Sequence, residues 1–65
     1  MATSPQDTAA RALTRAVHYA DKAASYADGS THNTEHNAPV IAALGGLAAV
    51  YADIAKAAAL LANNS

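Results

Sequence analysis

Between Ala38 and Ala62 the chain carries two charged residues, Asp53 and Lys56; apart from Pro39 and Tyr51, every other position is alanine, glycine or a larger aliphatic side chain. Alanine is the strongest intrinsic helix former, so well over a third of the protein is predicted to be one apolar helix. Most of its surface must then be covered by something. The rest of the chain can cover only part of it, because 65 residues make one domain whose core removes about 60% of the unfolded surface from water. Chains this small usually gain stability from disulfides, a metal or self-association. With no cysteine in the sequence, disulfides and thiolate metal sites are excluded, and self-association is the expected remedy.

The first segment has a well-marked start. Met1 to Thr3 are expected to fray, Ser4 is placed to cap the helix, Pro5 fits its first position, and Asp7 meets the positive end of the helix dipole. Asp7 also precedes Arg11 by four residues, a weakly favourable pair. From there to Asp28 the apolar residues follow a helical period, with Ala9, Leu13, Ala16, Ala20, Ala23 and Ala27 as the predicted seam. Ala12, Tyr19 and Tyr26 flank one side of that seam; Ala10, Val17 and Ala24 flank the other. The far face carries Arg11, Arg15, His18 and Lys22, with Asp21 and Asp28 beside them. Gly29 is the expected left-handed residue just past the helix end.

Residues 29–37 are polar throughout and are predicted to be a loop. Asn37 is the predicted cap of the second helix, with Thr34 as its competitor. That helix is expected over 38–62, with residues 63–65 as a tail. Its predicted seam is Val40, Leu44, Leu47, Tyr51, Ile54, Ala58 and Leu61, flanked by Ile41, Ala48 and Ala55 on one side and Ala43, Val50 and Ala57 on the other. Two helices of about 35 Å joined by a short connection make an antiparallel hairpin. The fold class is therefore all-α, a single helical hairpin over 1–65, with alanines of the first helix facing the larger residues of the second.

A lone hairpin of this kind exposes a coiled-coil-like apolar flank on each helix, and a homodimer forming a four-helix bundle is the simplest way to bury it. The residues expected to carry self-association are Leu13, Val17, Tyr19, Tyr26, Val40, Leu44, Leu47, Tyr51, Ile54 and Leu61. The reverse of the second helix is also apolar, and Ala42, Gly45, Gly46, Ala49 and Ala52 make a small-residue groove suited to a second helix, from another copy or from a different helical protein. Adjacent glycines in a helix interior cost about 1 kcal/mol each relative to alanine.

Chemistry is sparse. His32-Asn33-Thr34-Glu35-His36 matches H-x-x-E-H, a zinc-protease pattern in which two histidines one helical turn apart bind the metal and the glutamate acts as base. The match falls in the predicted loop and lacks a third ligand, so His32, Glu35 and His36 are metal candidates only in the adventitious sense. No nucleophile stands beside a base and no phosphate-binding loop is present, so neither enzymatic activity nor a cofactor is expected. Arg11, Arg15, His18 and Lys22 form a row that could track a phosphate backbone. A nucleic-acid-binding regulator is accordingly the alternative to a protein-binding module. The expected topology is similar to that of the small RNA-binding hairpin dimers of plasmid copy-number control, although none of their motifs maps onto these residues.

The formal net charge of -1 gives no long-range field to recruit nucleic acid or anionic surfaces. The uncharged run from Ala38 to Ala52 is shorter than a membrane span requires, and extending it takes in Asp53 and Lys56. Arg11 and Arg15 interrupt any leader-like apolar run near the start. The expectation is a cytoplasmic, homo-oligomeric interaction protein, of bacterial or phage composition, that binds through its second helix.

Overall fold

The computed structural model describes residues 4–28 and 31–64. It is all-helical, with α1 over Pro5–Ala27, α2 over Thr31–His36 and α3 over Ala38–Asn63. The two long helices pack side by side as an antiparallel hairpin. The result is a rod 48 Å long and 16 × 15 Å in section, one helix pair wide, so no third layer covers either edge.

Helix α1 begins as its sequence dictates. The Asp7 amide donates to Ser4 Oγ at 3.1 Å, Ser4 itself is extended, and Pro5 occupies the first turn. Thr14 and Ser25 donate their hydroxyls to the carbonyls of Ala10 and Lys22, which keeps these short polar side chains on the helix surface. The helix ends at Ala27, and Asp28 is extended. The fraying predicted for Met1 to Thr3 and the terminating role predicted for Gly29 lie outside the described residues, as does Ser65.

The connection is not the plain loop predicted for 29–37. Residues 31–36 form the short helix α2, because their polar side chains are spent on the open carbonyl end of α1. Asn33 Nδ2 donates to Asp28 O at 3.2 Å, Thr34 Oγ1 to Ala27 O at 3.3 Å, and Asn37 Nδ2 to Tyr26 O at 3.1 Å. The last carbonyls of a helix lack intrahelical partners, and here the next segment folds back to supply them. Asn37 stands at the head of α3 but makes no side-chain cap; its amide side chain faces α1 instead. Thr34, the competing cap, lies within α2.

The hairpin seam is rotated from the predicted one on both helices. On α1 the buried residues are Ala12 and Ala16, with Ala9, Tyr19, Ala23 and Ala27 half-buried, whereas Leu13 is 57% exposed and Ala20 is exposed. On α3 Ala58 is buried, and Ile41, Leu44, Ala48, Tyr51, Ala55 and Ala62 are half-buried. Val40, Leu47, Ile54 and Leu61, predicted to face α1, are instead exposed. Alanine therefore meets alanine across most of the contact. Small residues on both sides let the two axes approach closely. Register is set by one aromatic pair: Tyr19 and Tyr51 stack with ring centroids 5.7 Å apart and planes 12° from parallel. Arg15 covers the outer end of that pair, its guanidinium carbon 5.8 Å from the Tyr51 centroid, within cation–π range.

Because Ala16 faces α3 and Leu13 does not, the two positions should respond oppositely. Ala16→Leu is expected to destabilise the hairpin by about 1–3 kcal/mol through overpacking, while Leu13→Ala changes it by about 0.5 kcal/mol or less, as at other surface positions. Urea unfolding followed by helical circular dichroism measures both.

Candidate functional site

The rotation of the seam sorts the predicted self-association residues into three groups. Tyr19, Leu44 and Tyr51 turn into the hairpin. Val40, Leu47, Ile54 and Leu61 stand along one edge of α3, and Tyr26 is 39% exposed at the end of α1. Leu13 and Val17 are exposed as well, 57% and 52%, but they belong to the opposite edge. The assignment of edges follows from a shallow depression lined by Thr8, Arg11, Ala12, Arg15, Tyr51 and Ile54. It places Ile54 beside Arg11 and Arg15; at 100° per residue Leu13 and Val17 leave α1 on the other side of Ala16.

The hairpin thus has two unlike apolar edges. One combines the large residues of α3 with the cationic border of α1. The other combines Leu13 and Val17 with the small-residue side of α3, where Gly45, Ala49 and Ala52 are exposed. Within that predicted groove, neither Gly45 nor Gly46 meets a neighbour: a Cβ built on either has nothing within 4 Å. The glycines are not required by the packing of α1 against α3. Ala42 is exposed beside them.

The row of cations on α1 is exposed as the periodicity requires. Arg11, Arg15 and His18 line a second shallow depression with Ala10 and Thr14. Arg15 is committed to Tyr51, and the His18 ring packs edge-on against Tyr19 at 5.3 Å between centroids. Two members of the row are therefore held by aromatic contacts of the hairpin itself. Lys22 is exposed along the same face.

The H-x-x-E-H pattern lies in helix α2 rather than in the predicted loop. His32 and His36 are one turn apart, with ring centroids separated by 6.1 Å and planes 14° from parallel. Both histidines and Glu35 are exposed. Among the described residues, no group of three histidine, cysteine or carboxylate side chains converges to hold a metal ion.

The uncharged run from Ala38 to Ala52 is short for a span, but α3 as a whole, with Asp53 and Lys56 included, is long and apolar enough to cross a membrane by length and composition. A core helix of a small assembly has the same composition, so the property describes how much apolar surface α3 presents and leaves its medium open.

The open space around the glycines makes a direct stability test. Gly45→Ala and Gly46→Ala should each raise the stability of α3 by up to about 1 kcal/mol, read from the midpoint of urea unfolding, since neither methyl group meets an obstacle within the hairpin. Comparison with known protein families, with curated proteins and with solved structures finds no match to this chain.

Proposed function

We propose that this chain is a small non-enzymatic interaction protein that associates with itself, and through α3 with other helical proteins. One observation carries the reading: among the described residues the buried core consists of Ala12, Ala16 and Ala58, with no large side chain fully buried, while nine large hydrophobic residues are 39% exposed or more. Burying apolar area contributes about 25 cal/mol per Å², and alanine side chains have little area to bury. The larger contribution available to this sequence lies in the side chains that the hairpin leaves outside. A helical partner laid along α3 covers them, and a further copy of the chain is always present to do so. The reading takes the protein as cytoplasmic, with oligomerisation in place of lipid as the cover.

The exposed cations of α1 support a second reading, a nucleic-acid-binding regulator using Arg11, Arg15, His18 and Lys22. The two readings respond differently to salt. Self-association through an apolar surface holds or tightens as ionic strength rises, whereas phosphate contacts weaken steeply.

Light scattering over a range of protein concentrations should give at least twice the chain mass, unchanged between 50 and 500 mM salt. Ile54→Asp should weaken that association about tenfold or more, because a carboxylate replaces a side chain that the contact would desolvate. Arg11→Ala with Arg15→Ala should leave it intact. A monomer that binds RNA or DNA in a salt-sensitive, arginine-dependent way would favour the regulator.

A further inference from the structure

The exposed large residues of α3 are ordered. Val40, Leu47, Ile54 and Leu61 recur every seven residues, the spacing of a helix–helix seam, and each is 40% exposed or more. The four lie to one side of the seam with α1, and Ile54 borders it beside Arg11 and Arg15. The stripe carries no charge, and its midpoint falls between Val50 and Tyr51. Helix α3, Ala38–Asn63, has the same midpoint.

The geometry points to a second copy of this chain as the occupant of that stripe, with the two α3 helices antiparallel about a two-fold axis at the Val50–Tyr51 level. The proposal rests on the self-association reading and adds the face, the direction and the register. In this arrangement Val40 meets Leu61 of the partner subunit and Leu47 meets Ile54 of the partner subunit. Because stripe and helix share a midpoint, the two helices overlap along their whole length and no seam residue overhangs.

Three physical arguments select this arrangement. A standard stable interface removes about 800 Å² from each partner, about a sixth of the 4659 Å² that the hairpin exposes, and six of the nine exposed large hydrophobic residues among those described lie on α3. Both helix contacts that the arrangement uses, α1 with α3 inside each hairpin and α3 with α3 between them, run antiparallel, so the helix dipoles oppose. The other compact two-fold pairing on this edge, with its axis along the rod, would set each aliphatic stripe against the edge of the partner bearing Arg11 and Arg15 and desolvate guanidinium groups without a counter-charge. Meeting stripe to stripe leaves those arginines at the rim.

The chain has no cysteine, so introduced cysteines report neighbours without background. Two helices packed 8–10 Å apart bring facing Cα atoms within disulfide reach. Val50→Cys, next to the axis, should cross-link to itself on mild oxidation. Val40→Cys alone should not, its counterpart lying about 30 Å along the bundle, whereas a mixture of Val40→Cys and Leu61→Cys chains should. The Leu47→Cys and Ile54→Cys mixture is an independent second pair. A wild-type dimer in which Val40→Cys links to itself as readily as Val50→Cys overturns this interface while leaving self-association standing. A dimer that forms no cross-links here but is broken by Gly45→Leu moves the interface to the opposite edge and also overturns it. A wild-type chain that stays monomeric in solution overturns both readings. Recruitment of that monomer to phosphatidylglycerol vesicles would identify a bilayer as the occupant instead.

Discussion

The contact on which this structure depends is alanine against alanine. Ala12 and Ala16 of α1 and Ala58 of α3 are the buried core, and their smallness sets the hairpin's geometry and its insufficiency together. Small side chains let the helix axes come close, which is the favourable packing available to them. The same small side chains remove little apolar area from water when they meet. A seam of leucines would have held the hairpin more firmly and left less surface outside.

From that contact the rest of the arrangement follows. Choosing the alanine faces leaves Val40, Leu47, Val50, Ile54, Leu60 and Leu61 of α3 exposed while Ile41 and Leu44 stay half-buried, and it brings Tyr19 onto Tyr51 as a stacked pair. Arg15 then closes over the ring it finds beside it. At the far end of the rod, α2 is held by the unpaired carbonyls of α1. The hairpin is consequently tied at three places, the alanine seam, the tyrosine pair and the polar turn, and the large residues along the outer edge of α3 remain 40% exposed or more.

That edge is the surface on which the proposed function rests. Chemistry elsewhere is sparse and dispersed: the histidines of α2 face solvent, and two of the cationic positions of α1 are engaged by aromatic rings. An interaction protein needs no more than a shaped apolar surface with a defined direction, and a stripe at seven-residue spacing along a straight helix is one. The two edges are unlike in character, large aliphatics on one and glycine and alanine on the other.

Much of this was legible in the residues alone. Helix content, the start of α1 at Ser4-Pro5, the antiparallel pairing and the presence of surplus apolar surface follow from composition, capping chemistry and period, which act over a few neighbouring residues. The connection was misread because its polar residues suggest a solvated loop when considered by themselves. Their partners are the carbonyls of Tyr26, Ala27 and Asp28, visible only once the chain has turned back. The face of each helix that enters the seam was also beyond the sequence. Periodicity marks a broad apolar arc, and on helices so rich in alanine that arc contains two nearly equivalent seams, one large and one small. Which seam closes the hairpin is decided by how near two axes can come, a property of the pair and of neither helix. The sequence by itself determined that this chain forms long helices with more apolar surface than it can hide; the tertiary structure decided which of that surface remains to be shared.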